Sequence, residues 1–188
     1  GAFQNISGYL KGTVDDVRLY SRAFTQAEIR QIYLRTSQAI NSSTAFLQTG
    51  STLGIGNSLA GHWTFDGKDT KGGVAKDLSG AGNTGNFLNI STSTFYAIGK
   101  HGQAINFDGT NDYVSVPYNA SWEFGSNSFT VSWWEYRTAN DNGRVAIARD
   151  EQSNGYTSFL LGYSWGGSDL QIYMTRDTGG GWDIASGK

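Results

Sequence analysis

The chain has 188 residues, a formal net charge of −2 and no cysteine. Without a basic cluster it lacks the electrostatic footprint of a nucleic-acid binder, and without thiols it has no disulfide, thiolate metal site or cysteine nucleophile. No apolar run approaches the ~20 residues that cross a bilayer, so no membrane span is expected.

Glycine occurs 26 times and proline once, aromatic residues make up 14% and charged residues 16%, a balance that favours many short strands joined by glycine turns. The length suits one large domain, or one domain with a fragment of another. The chain begins at Gly1 rather than Met and is expected to be a piece of a longer protein.

The first legible element is "YLKGTVDDVRLY", residues 9–20. Val17 and Leu19 alternate there with Asp16, Arg18 and Tyr20, which predicts a strand with one apolar face. Thr25 and Glu28 then form a capping box, with Phe24 placed to staple onto Ile29, so a helix should begin at Gln26. Its apolar stripe of Ile29, Ile32 and Tyr33 is short, so it must dock on a larger body.

Residues 37–57 turn to Ser, Thr, Asn, Gln and Gly, the composition of a linker. Fully extended, they reach roughly 70 Å. From residue 58 strand-like segments follow one another. "LAGHWTF" sets Leu59, Trp63 and Phe65 on one face. "AINFDG" and "DYVSV" flank an Asp-Gly turn, and "SFTVSWWEYR" alternates Phe129, Val131 and Trp133 with Thr130, Ser132, Trp134 and Tyr136. "RVAIARD", "YTSFLLGYS" and "LQIYMTRD" continue the series. About nine short strands at this spacing predict an all-β antiparallel sandwich or barrel rather than a βαβ fold.

Four segments, "LAGHWTFDG", "DLSGAGNTG", "GQAINFDGTNDYVSV" and "FTVSWWEY", resemble in order and spacing the amino-terminal half of a bacterial laminin G-like domain of the concanavalin A-like jelly-roll superfamily. "GYLKGTVDDVRLYSRAFTQAEIRQIY" resembles the segment with which such domains end, a last strand beside the first and then a short helix. The halves stand in reversed order. The resemblance therefore divides the chain into residues 1–36, a carboxy-terminal strand and helix; 37–57, a linker; and 58–188, the main part of a laminin G-like domain, incomplete at its end. Either the chain runs from the tail of one tandem copy into the next, or the early strand fills the edge the body leaves open, in its own chain or in a neighbour. An unfilled edge would expose backbone hydrogen-bonding groups.

The resemblance implies a structural Ca²⁺ held by Asp66, Asp77, Asn83 and Asp15 or Asp16, with Gly67 where relatives often carry a further acid. Calcium takes 6 to 8 oxygens at about 2.3 to 2.6 Å. The same Asp-Gly and Asp-x-Ser-Gly runs also read as turn formers whose side chains bond nearby amides. Asp108 and Asp112 are read as hairpin-turn residues.

Trp134, Tyr136, Tyr163, Trp165 and Trp182 are candidates for stacking on sugar rings, or else half-buried sheet residues and interface anchors. The superfamily's glucanases carry a Glu-x-Asp-x-x-Glu strand, and this chain has none; Glu135, Asp150 and Glu151 are isolated acids, and His62 and His101 have no Ser or Cys nucleophile motif beside them. The expected function is a noncatalytic adhesion or carbohydrate-binding module of a secreted or surface protein, its partner a glycan or surface protein. The alternative is a structural subunit of a surface layer or filament, whose copies are linked by strand complementation.

Overall fold

A computed structural model describes residues 8–37, 55–91, 95–122, 124, 127–138, 143–149, 158–163, 169–175 and 184–186. In chain order the elements are β1 (Lys11–Tyr20), α1 (Gln26–Ser37), β2 (Leu59–Trp63), β3 (Val74–Ala75), β4 (Gly85–Leu88), β5 (Tyr96–Ile98), β6 (Gln103–Asp108), β7 (Tyr113–Ser115), β8 (Thr130–Arg137), β9 (Val145–Arg149), β10 (Ser158–Tyr163), β11 (Leu170–Thr175) and β12 (Ile184–Ser186). The named strands pair antiparallel, and α1 is the one α-helix among the described residues. The fold is mostly β, as an all-β sandwich requires.

β1 lies inside the five-stranded sheet. One of its edges pairs with β8 from Gly12↔Arg137 to Tyr20↔Thr130. Its other edge pairs with β6 over Lys11–Val14 and then with β2 over Val17–Tyr20. The partner changes at Asp15 and Asp16, where Asp16 takes a left-handed φ of 53° and the register against β8 shifts. Such a bulge kinks one strand so that it can serve two partners placed end to end. β5 continues the sheet beyond β6, while β9 to β12 and β3, β4 and β7 form sheets of four and three strands.

The main core fills the space between these sheets. Val14, Val17 and Leu19 of β1 join Trp63, Ile105 and Phe107, and Phe159 and Leu161 meet them from the four-stranded sheet. On the other face of β1, Tyr20 packs with Ile32 of α1 and with Ile55, and Phe24 and Leu59 complete this smaller cluster. β1 is therefore buried on both faces, where its alternation predicted one apolar face only. Asp16, Arg18 and Tyr20 are as enclosed as Val17 and Leu19.

Several local expectations are met and others corrected. The capping box forms: Thr25 N–H donates to Glu28 Oε2 at 2.8 Å and Glu28 N–H to Thr25 Oγ1 at 3.3 Å. Phe24 lies 4.5 Å from the ring of Tyr20, whereas Ile29, its expected staple partner, is 53% exposed. Leu59 does not share a face with Trp63, because the register skips Ala60 between Leu19↔Gly61 and Tyr20↔Leu59 and so turns Leu59 toward α1. The Asp108–Asp112 turn joins no paired strands: β6 pairs with β1 and β5, and β7 with β4 in another sheet. Its carboxylates still organise the corner, Asp112 Oδ2 accepting the Asp108 amide and Asp108 Oδ1 that of Thr110. Most of the expected linker lies outside the described residues, but its last part is anchored, with Ile55 buried and Gly56–Ser58 forming a 3₁₀ turn.

Close approach of β1 to β8 rests on Gly12. Its φ is +146°, and a Cβ there would sit 2.2 Å from the carbonyl oxygen of Tyr136. Gly12→Ala should therefore lower the unfolding free energy by roughly 1 to 3 kcal/mol, read from the urea midpoint. An unchanged midpoint would mean that β1 does not lie so tightly against β8.

Candidate functional site

Two groups of side chains gather the candidate residues. The first surrounds the point where β1 changes partner. Asp16 is buried there, with Oδ1 2.8 Å from His62 Nε2 on β2 and Oδ2 accepting from Arg18 Nη2 at 2.9 Å. Burial alone would raise its pKa, but the His62 ring and the Arg18 guanidinium outweigh burial and hold the carboxyl below its usual range.

Asp15 has the opposite balance. Its Oδ2 accepts the His101 amide at 2.8 Å, while Oδ1 has no hydrogen-bond partner. Burial chiefly, with repulsion from Asp16 and Asp66, pushes its pKa up to about 7. Asp66 grips the other side of the same turn: Oδ1 accepts the Gln103 amide at 2.8 Å, and Oδ2 meets Lys68 Nζ at 3.0 Å. The two carboxyls thus hold the β5–β6 turn, Asp15 to β1 and Asp66 to the loop that follows β2.

Asp77 and Asn83 belong to a loop strapped under β2. Asp77 Oδ1 accepts the amides of His62 and Ser79, and Oδ2 accepts the Ser79 hydroxyl and the Asn83 amide, all at 2.8 to 2.9 Å. Burial opposes its ionisation, yet these hydrogen bonds hold the pKa below the ordinary aspartate value. Asn83 Nδ2 donates to the Ala60 carbonyl and to Ser121 Oγ, and its own carbonyl accepts from Trp63 Nε1 at 2.8 Å. Both residues behave as organisers of the turn.

Among the described residues no group of three or more His, Asp or Glu side chains converges as a metal-holding cluster. Asp16, Asp66 and Asp77 already serve N–H or O–H donors, so a calcium shell drawing on all five candidates would displace protein hydrogen bonds. In the structure the five take part in an internal hydrogen-bond network.

The second group lies along β8, whose alternate residues face opposite ways. Trp134 and Tyr136 point outward. The ring of Tyr33 from α1 lies 5.8 Å from that of Trp134, and Lys100 Nζ sits 5.2 Å from the Trp134 centroid. Tyr136 is 69% exposed and Tyr33 58%. Ile29, Ile32, Tyr33, Ser132, Trp133 and Trp134 line a cavity of about 140 Å³, with Asp16 and Arg18 also on its wall.

Tyr163 falls elsewhere. It packs against the main core, donates its hydroxyl to Glu135 Oε1 at 2.8 Å and lies 3.6 Å beneath the Arg137 guanidinium. Burial, and then Glu135, push its pKa upward. Trp165 and Trp182 lie outside the described residues. The expected aromatic set is thus divided between Trp134 and Tyr136 on the outer face of β8 and Tyr163 on β10 of the four-stranded sheet, and Tyr33 docks its ring against Trp134 while staying 58% exposed.

Glu135 is no free acid either: Trp133 Nε1 donates to its Oε2 at 3.0 Å, and Arg137 Nε lies 3.6 Å from Oε1. His62, without a partner in the sequence reading, is tied to Asp16 across 46 positions, a separation over which no local pattern gives a signal. Compared with known proteins, the chain matches no family model, no curated protein and no solved structure.

The Asp15 carboxyl yields a pH test. The native group holds its proton up to about pH 7, while an unfolded one releases it near 3.8. Between those values the native state binds the extra proton, so this group's contribution to stability falls as pH rises through the window and is then constant. Asp15→Asn cannot ionise and keeps an acceptor for the His101 amide. It should gain on the parent chain between pH 5 and pH 8, on the order of 1 to 3 kcal/mol, in paired urea titrations. An equal offset at both pH values would contradict this.

Proposed function

We propose that this chain is a noncatalytic recognition module of an extracellular or cell-surface protein, a laminin G-like jelly roll acting in adhesion or carbohydrate binding through the outer face of its five-stranded sheet. The observation that carries the reading is the aromatic row there: Tyr136 stands open to solvent beside Trp134, and Tyr33 of α1 extends the row. Flat rings exposed on a rigid sheet offer large contact area at small entropic cost. A sugar ring stacks its C–H face on such a surface, while Lys100 supplies a cation at its border.

In this reading Glu135 is a structural acid rather than one of a catalytic pair. A glycosidase needs two carboxyls about 5 to 9.5 Å apart across the bond it cleaves, whereas Glu135 is enclosed and bound to Trp133, Tyr163 and Arg137. In this reading the Asp15–Asp16 corner is tied by His62, Arg18 and the His101 amide.

A glycan array followed by titration of the best sugar tests the proposal. Tyr136→Ala should weaken binding by about tenfold, equivalent to about 1.4 kcal/mol, and leave the unfolding midpoint within roughly 0.5 kcal/mol of the parent, as an exposed substitution does. Binding indifferent to Tyr136→Ala, or no binding to any glycan, would overturn it. So would polysaccharide cleavage that disappears with Glu135→Gln.

A further inference from the structure

A strand in the middle of a sheet is ordinarily supplied by neighbouring parts of the chain, and here it is not. The ladder bonds of β1 go to β2, β6 and β8, all of which follow residue 54. Its side chains Val14, Val17 and Leu19 likewise pack against residues from beyond that point, and Ile32 of α1 packs with Ile55 and Tyr20. Without this segment the body would keep a slot, with β8 on one side and β6 and β2 on the other. Trp63, Ile105 and Phe107, now buried, would lose the strand that covers them.

The slot is selective for the segment that fills it. Gly12 is required where β1 meets the Tyr136 carbonyl. His62 waits on β2 for a carboxylate where the partner changes, and Asp16 supplies it at 2.8 Å. Thr130 on β8 both accepts from the Phe24 amide at 3.1 Å and donates to the Arg22 carbonyl at 2.8 Å. Arg144 Nη1 donates to the Tyr9 carbonyl at 2.7 Å. A foreign strand of unrelated sequence would satisfy few of these partners.

We propose that the segment Gly8–Ser37 is exchangeable, so that β1 and α1 of one chain complete the sheet of a second copy of this chain. The tether permits it: residues 38–54 separate α1 from Ile55, and 17 residues extend to at most about 60 Å. Closure within one chain competes at an effective concentration set by the length of the connection, so it dominates in dilute solution. Exchange gains as the chain folds in a crowded setting. Reciprocal exchange closes a dimer, and one-way exchange builds an open series of copies. Release of a central strand requires the sheet to open, so whichever form is made on folding persists. None of this depends on what the outer aromatic face binds.

Because the chain has no cysteine, two introduced thiols report the pairing directly. Thr13 and Tyr136 are register partners across β1 and β8; antiparallel partners have Cα atoms about 4.5 to 5.5 Å apart, within the disulfide range. Full-length Thr13→Cys and Tyr136→Cys variants are unfolded, mixed, refolded together at low and high protein concentration, oxidised and resolved under non-reducing conditions. Exchange gives a heterodimer whose disulfide joins positions 13 and 136, with a share that rises roughly tenfold per tenfold in concentration while it remains the minor species. The double variant, refolded dilute, should close within one chain. Closure of the double variant at every concentration with no 13–136 heterodimer in the mixture overturns the proposal. The unmodified chain gives a cysteine-free check: after refolding at high concentration and dilution, a persistent dimer or larger species in light scattering supports exchange, and monomer alone overturns it.

Discussion

The fold turns on one strand that must serve two partners along a single edge. β1 meets β6 with its first half and β2 with its second, and between them the backbone at Asp16 steps into the left-handed region. A bulge in the middle of a buried sheet leaves polar groups with fewer ladder bonds to make. Here side chains tie the bulge to its surroundings, with Asp16 joining His62 and Arg18, and Asp15 taking the His101 amide. Removing one member of such a buried charged set costs about 3 to 5 kcal/mol in comparable cases. That exceeds the loss of a helix cap at about 1 kcal/mol, so the seam matters more to the placement of β1 than the capping of α1 does.

From that placement the two faces of the sheet acquire different work. The inner face carries the apolar core and, near the end of β8, the Glu135, Tyr163 and Arg137 group, which seals polar atoms between the sheets. The outer face is divided. Over β1 it is roofed by α1, with Ile32 buried against Tyr20 and Ile55, while along β8 it is left to Trp134 and Tyr136. The helix thus determines which part of the sheet stays open to solvent, and through Tyr33 it adds a ring of its own.

What the sequence disclosed is what short-range chemistry encodes. Thr25 and Glu28 announced the start of α1 because a capping box spans four residues, and the strand pattern of "SFTVSWWEYR" emerged as β8 because alternation is local. Misreadings arose where distant segments decide. The alternation of β1 could not disclose that α1 covers its polar face, nor could "LAGHWTF" reveal the skipped register at Ala60 that turns Leu59 around. Asp77 and Asn83 were legible as turn residues, and their network is that of an organised loop. The pairing of His62 with Asp16, and the burial of Tyr163 against Glu135, join positions too far apart for any pattern of spacing to connect.

The most direct measurement of a central β1 is amide hydrogen exchange at Val14, Val17 and Leu19, read beside Ile105 and Trp63. With β1 integral to the sheet, its amides exchange in the slowest class together with Ile105, by the same opening that unfolds the whole domain. Fast exchange across β1 while Ile105 and Trp63 stay protected would mean that the body holds together without it, and would contradict the architecture described here.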